Sequence, residues 1–308
     1  MVPMLNHKVK ITEFARKECG FDDCRITDPF VEDPVQHYRE WIENNYHGDM
    51  TYLANHLPFK ANPEHLLEGV KSAIVVIKNY KNTTETKLTQ KFKIARYAVG
   101  KDYHQVMKEH LEKLAEYINQ LDSSAKTYCA IDSRPVAERG LALNAGIGFL
   151  GKNTMVIKPG IGSYFFIGVV LTTLELPFDE SMVWDCGQCR LCLDTCPTNA
   201  LLDNYQMDAK NCISYMTIEQ KEVLSDEQLE KTQGWMFGCD LCQEVCPYNK
   251  SPKIPLTDWK EFLPTEGVGF NFFDTIPEEK DIPKSTPLYR SRKRLIPNVI
   301  KAHSKIKG

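Results

Sequence analysis

Hydrophobic positions recur along the first half of the chain in two rhythms. In ITEFARKECGF and YHQVMKEHLEKLAEYINQL they return every three to four positions, which predicts helices. In the second stretch Val106, Leu111, Leu114, Ile118 and Leu121 share one face. SAIVVIKNY is a short unbroken apolar run, the mark of a strand buried on both faces. KTYCAID predicts a strand ending at Asp132, and TMVIKP and SYFFIGVVL predict two more, joined through a turn at GIGS. PVAERGLALNAG opens on proline and stops at glycine, as helices do. Strands interleaved with helices predict a layered α/β or α+β domain over residues 1–178.

From about Ser181 the rhythm breaks into short segments rich in cysteine and proline. A segment of this kind, residues 179–255, cannot bury much core and needs a metal framework. Residues 256–308 read as an irregular, proline-rich wrapping segment followed by a basic tail. IPKSTPLYRSRKRLIPNVIKAHSKIKG holds eight Lys/Arg and no Asp or Glu. A net charge of −3 over 308 residues excludes a uniformly basic nucleic-acid binder, so such binding must come from a local patch. No run of 18 apolar residues is present, and MVPMLNHKVKITEF has neither an apolar signal core nor a twin arginine. The expectation is a cytoplasmic monomer that does not contact membrane.

Eleven cysteines in such a compartment argue against a disulfide scaffold. Eight of them lie between Cys186 and Cys246; Cys19, Cys24 and Cys129 are scattered and read as inert buried thiols. CGQCRLCLDTCP is C-x2-C-x2-C-x3-C-P, the bacterial ferredoxin arrangement, in which the fourth thiolate serves the other cluster. CDLCQEVCP repeats it with one cysteine fewer. The pattern assigns Cys186, Cys189, Cys192 and Cys246 to one [4Fe-4S] cluster. Cys196, Cys239 and Cys242 belong to a second, and isolated Cys212 in NCISYM is the nearby candidate for its fourth ligand. Structural zinc uses two separated C-x2-C pairs and fits the triple run poorly. Paired clusters make a wire for single electrons, and a wire implies a terminus in the α/β half.

Spacing alone does not reveal that terminus. GIGFLGKN is neither a dinucleotide fingerprint nor a P-loop. DYHQVM places Asp102 and His104 as a corrinoid D-x-H-x-x-G motif would, but Met107 replaces the glycine, and Asp102 reads as a helix N-cap.

IDSRPVAERGLALNAGIGFLGKNTMVI, the ferredoxin block with its isolated Cys212, and CISYMTIEQK together resemble the epoxyqueuosine reductase family from about residue 45 to Pro287. That family is cobalamin-dependent, is related to reductive dehalogenases, and reduces the epoxide of epoxyqueuosine at the wobble position of tRNA. The resemblance implies Asp132 as proton donor; a capping carboxylate for the helix near Pro135 is its bland reading. It implies cobalamin between the two halves, near Asn55, Ala95, Asp132, Val156 and Ile167. Asn55 stands where relatives carry a basic residue. Tyr103 and Arg139 match pocket positions, and the segment holding Ser214 and Lys221 would pass near both corrin and substrate nucleotide. Relatives often continue into a helical-repeat domain; here the chain stops at Gly308, where RLIPNVIKAHSKI could begin a helix. The implied partners are tRNA carrying epoxyqueuosine and an external low-potential electron donor. To donate at neutral pH, Asp132 is expected to be buried, remote from cations and protonated. Two rivals keep the clusters: a reductive dehalogenase, and a ferredoxin-type carrier with no chemistry of its own.

Overall fold

The computed structural model describes residues 2–82, 92–264, 268 and 272–307. Its centre is a four-stranded sheet of β1 (Asp23–Thr27), β2 (Ser72–Asn79), β4 (Thr127–Ala130) and β7 (Phe165–Thr172), in the spatial order β1-β2-β7-β4. Every pairing in it is antiparallel. Of the two classes that the sequence left open, the sheet is therefore α+β. Two short two-stranded ribbons complete the strands. One pairs β3 (Lys93–Ile94) with β8 (Trp235–Phe237) in parallel, and the other pairs β5 (Phe149–Leu150) with β6 (Val156–Ile157).

The unbroken apolar run of β2 has a simple cause: both faces of the sheet are covered. Ile74 and Val76 face helices α1 (Val2–Lys17) and α4 (Tyr103–Leu121), where they meet Ile11, Met107, Leu111, Leu114 and Ile118. Ala73, Val75 and Ile77 face the other way, toward Val35 of α2 (Glu32–Glu43) and Leu141 and Ala142 of α5 (Glu138–Asn144). Helix α3 (Thr51–Ala61) packs on α2.

The cysteine-bearing half is built from short pieces: α6 (Leu191–Thr195), α7 (Ile213–Ile218), α8 (Asp226–Lys231), α9 (Leu241–Glu244) and α10 (Pro247–Lys250). It is sewn to the sheet by buried polar bonds. Asn249 accepts from the Ser163 N–H at 2.8 Å and donates to Ser163 Oγ at 2.9 Å, while Ser163 Oγ donates to Gln243 at 2.8 Å. The GIGS turn makes this possible. Gly162 sits at φ +86°, and a Cβ there would lie 2.1 Å from Asn249 Oδ1. Gly162→Ala combines left-handed strain with loss of a buried hydrogen bond, so denaturant unfolding is expected to show about 2 kcal/mol or more of destabilisation.

Four details differ from expectation. The strand of KTYCAID ends at Ala130, two residues before Asp132. Helix α5 starts at Glu138 rather than near Pro135, with Ala137 at its N-cap, so Asp132 does not cap it. The strands flanking GIGS belong to different sheets. The basic tail is a helix, α11 (Leu288–Lys307), whose Leu288, Leu295 and Val299 are buried with Ile94, Met216 and Phe237. The wrapping segment also enters the first core: Trp259 stacks on His110 at 3.9 Å and, with Phe262, joins the α1–α4 cluster. Lys78, 1% exposed in β2, bonds Gly20 O, Asp22 and Asp258, with Trp259 over its ammonium. Among the described residues no helix is long and apolar enough to cross a membrane.

Candidate active site

Residue 132 follows β4 in a left-handed conformation, φ +40°. In the β4–β7 register Ala130 faces Val169. The ladder ends there, and Asp132 lies two residues beyond it. Its Oδ2 accepts from the Tyr103 hydroxyl at 2.7 Å and lies 3.0 Å from His104 Nε2. Tyr103 is itself fixed, stacked on Phe166 with centroids 4.2 Å apart. His104 Nδ1 lies 2.7 Å from Asp102 Oδ1, and the same Asp102 side chain caps α4 by accepting from the His104 N–H. Arg290 of α11 pairs with Asp102 Oδ2 at 3.1 Å.

The Asp132 side chain is 62% exposed, yet desolvation by surrounding protein is the largest influence on its pKa. The carboxylate is thus open to water on one side and crowded by protein atoms on the other. Around it stand Tyr52 and Lys60 of α3, Tyr97, Glu138 and Arg139 of α5, and Glu219 beyond α7. Each has a pKa influenced by the charge of Asp132. Burial drives Glu138 up to about 7 and pulls Lys60 down, although the two sit 4.0 Å apart. Arg139 donates to Thr154 O at 2.8 Å, which anchors the 151–155 turn, and Asn153 of that turn donates to Cys242 O at 3.3 Å. The 151–155 turn thus links Arg139 to the cysteine half.

The expectation of a protonated Asp132 remote from cations does not hold for this arrangement. Burial alone would raise its pKa. The hydrogen bonds from His104 and Tyr103, with the charges of His104 and Lys60, together outweigh burial and hold the carboxyl below its usual range. For His104 burial would lower the pKa, and bonds to Asp102 and Asp132 raise it. The Asp102 pKa is lowered too: burial opposes, and His104 and Arg290 prevail.

These directions fix a pH signature. The lowered carboxylates contribute stability that is present above their unfolded values and lost as pH falls through the folded ones. The raised histidine contributes stability that is fully present below its unfolded value and lost as pH rises through its folded pKa. The melting difference between parent and His104→Ala is therefore expected to peak between about pH 4 and about pH 6.5 and to shrink on both sides.

Five of the eight clustered thiols have raised pKa values, and the neighbouring thiols that raise them fall into two sets. Cys192 is pushed up to about 11 by burial, then by Cys186 and Cys246, and Cys246 responds to burial, Cys186 and Cys189. Cys212 responds to burial and Cys196, while Cys239 and Cys242 respond to burial and Cys212. One link, Cys242 to Cys192, crosses between the sets. Among the described residues no three His, Cys, Asp or Glu side chains converge as one ion would need. Thiolates on a cubane need not converge, because each binds its own iron. In the second set Cys239 packs against Ala95, Ile213 and Trp235.

The other expected positions fall as follows. Asn55 is exposed on α3, Val156 is buried in β6, and Ile167 is half-buried in β7. Ala95 is buried, its N–H bonded to Phe237 O at 2.8 Å. Ser214 lies half-buried on α7, and Lys221 is exposed beyond it. Sequence reasoning missed Tyr52, Lys60, Tyr97, Glu219 and the bond from His104 to Asp132. The Asp102–His104 spacing was the one visible signal.

Comparison with known proteins identifies relatives of the whole chain. Residues 60–133 match the family described as epoxyqueuosine reductase QueG, and residues 185–249 match the 4Fe-4S double cluster binding domain. An epoxyqueuosine reductase of Cyclobacterium marinum is 38% identical over 252 residues, 79% of this chain and 81% of its own. The Escherichia coli epoxyqueuosine reductase is 36% identical, covering 80% of this chain and 66% of its own. Among solved structures, an epoxyqueuosine reductase with an epoxyqueuosine-modified tRNA-Tyr stem loop superposes with a TM-score of 0.85 at 27% identity, over 98% of this chain and 82% of that one. By sequence identity, length and fold, this chain belongs to the epoxyqueuosine reductase family.

Proposed function

We propose that the protein reduces epoxyqueuosine to queuosine at the wobble position of tRNA, with electrons delivered through two [4Fe-4S] clusters to cobalamin. The observation that carries this reading is a carboxylic acid, Asp132, held by Tyr103 and His104 on the half of the protein that Arg139 and the 151–155 turn tie to the cluster-type cysteines. One cluster takes Cys186, Cys189, Cys192 and Cys246, and the other takes Cys196, Cys212, Cys239 and Cys242. The thiol sets that raise one another's pKa support this division.

A corrin would need a slot wider than any side chain, with donors and acceptors for its amide arms. Asn55 and Arg139 would offer donors to it, and the backbone at Ala95, Val156 and Ile167 would offer further contacts. Bound there, cobalamin supplies the low-potential electrons that open the epoxide C–O bond. The remaining work falls to the chain. Asp132 holds the proton for the departing oxygen. Tyr103, locked on Phe166, keeps the carboxylate aimed. Covering the open side of Asp132 expels water, which strengthens the burial influence on it and moves it toward the protonated form. Ser214, Lys221 and the basic face of α11 receive the nucleotide and its phosphates. The target base must be splayed out of its stack to reach Asp132.

The labour divides by segment: residues 1–178 hold cofactor and substrate, 179–255 carry electrons, and 256–308 close the site and add charge. An external low-potential donor feeds the clusters, and the chain acts as a monomer in the cytoplasm, where its substrate is. The test uses anaerobically reconstituted protein with cobalamin, a chemical reductant and an epoxyqueuosine-bearing stem loop. Mass spectrometry is expected to show loss of one oxygen from the nucleoside. Loss of halide from a chlorinated alkene, with the stem loop untouched, would overturn the assignment.

A further inference from the structure

We propose that His104 is the proton supply of Asp132, a positioning residue that passes protons from a solvent groove beside α4 to the acid in each turnover. The inference rests on the reading of Asp132 as donor to the epoxide oxygen.

The chemistry demands such a supply. Turning an epoxide into an alkene and water breaks both C–O bonds and consumes two electrons and two protons. The external donor supplies the electrons. A single carboxyl group holds one proton, so the acid must be recharged before the oxygen leaves as water. At that moment its open face is covered by cofactor and nucleotide, and a proton must reach it from behind.

Among the described residues His104 stands in that place. His104 Nε2 lies 3.0 Å from Asp132 Oδ2, and its Nδ1 lies 2.7 Å from Asp102. The ring is 15% exposed. What it meets outside is a groove of about 1460 Å³, lined by Asp102, His104, Lys108, Ser133 and Arg290. Ile131 and Ser133, on either side of Asp132, both line it, so the groove runs up to the loop of the acid and the ring of His104. The groups facing the ring are Asp102 and Tyr103 at the start of its own helix, Asp132 in the loop after β4, and Arg290 of α11, whose Nη1 is 3.4 Å from Nε2. Two carboxylates against one arginine favour a charged ring, in line with the raised pKa of His104 and the lowered pKa of Asp132. In the resting site the proton therefore sits on the histidine.

The step balances. The Nε2–H bond breaks as an O–H bond forms at Asp132 Oδ2, leaving a neutral imidazole whose Nδ1–H still points at Asp102. Asp132 gives that proton to the oxygen of the substrate, and water from the groove, entering at the Nε2 edge beside Arg290, returns a proton to Nε2.

The experiment compares the parent holoenzyme, carrying both clusters and cobalamin, with His104→Gln and His104→Ala in single turnovers after prior reduction. The rate on the stem loop is expected to fall about 100-fold, the lower end for a positioned proton-transfer group, with KM unchanged. The parent's alkaline decline, set by His104, should vanish from both variants. Independently of turnover, ¹⁵N-histidine NMR is expected to show the His104 pKa falling when Asp132 is changed to Asn. Parental rates and pH profile in His104→Ala, or a histidine pKa indifferent to Asp132→Asn, would overturn the relay while leaving the assigned reaction standing. A parent with no turnover on the stem loop would overturn the reaction and the relay with it.

Discussion

Asp132→Asn is expected to lower epoxide reduction by roughly 10²–10⁴-fold, the usual weight of a positioned acid, while iron and corrin contents stay at the parental level. The separation follows from where the residue sits. Asp132 belongs to a loop whose neighbours are Tyr103, His104 and Lys60, and no thiol of either cluster touches it. Asparagine fills the same volume and still accepts from Tyr103, so the φ +40° turn need not reorganise. What disappears is the transferable proton. Spectra of the variant should keep iron–sulfur and corrin bands, and the nucleoside should retain its oxygen. Parental turnover would remove Asp132 from its role.

Cys212→Ala is expected to leave roughly four irons per chain, or a degraded second cluster, in place of about eight. The residue stands alone in sequence, between the two cysteine runs, and reaches its set through the turn that starts α7. It is the N-cap of that helix, and the Tyr215 and Ser214 backbones lower its pKa against the larger effect of burial. Such N–H groups favour a thiolate, the form a cluster iron requires. Because Cys239 of the same set packs against Ala95, the loss should break the wire at its inner end. Reduction of the outer cluster would survive while turnover falls to background. Eight irons in the variant, by metal analysis, would refute the ligand.

Features written in local spacing were legible before the structure. The cysteine run needs its ligands a few residues apart, and α4 shows its buried face at Val106, Leu111, Leu114 and Ile118 within one helix. Features that depend on partners far along the chain were not. Nothing in β2 says that both its neighbours run antiparallel, so the choice between α/β and α+β waited for the coordinates. Asp102 was rightly read as an N-cap, yet its cap serves a histidine whose second partner lies 28 residues on. The lowered pKa of Asp132 was hidden for the same reason: Lys60 and His104 come to it from two other helices. The helix in the basic tail was legible as a possible start at RLIPNVIKAHSKI, but not what its Leu288, Leu295 and Val299 would pack against.

The pairing of Lys93 with Trp235, and the burial of Trp259 and Phe262 against α1 and α4, set the order of biogenesis. A nascent chain cannot seal its first hydrophobic layer until residues near the far end have left the ribosome. Closure depends on contacts of long sequence separation, which form slowly. The cysteines emerge before that closure, so iron and sulfide meet a partly open protein. A polypeptide ending short of Trp259 would keep every thiol and still expose the apolar side of α4, and such surface aggregates.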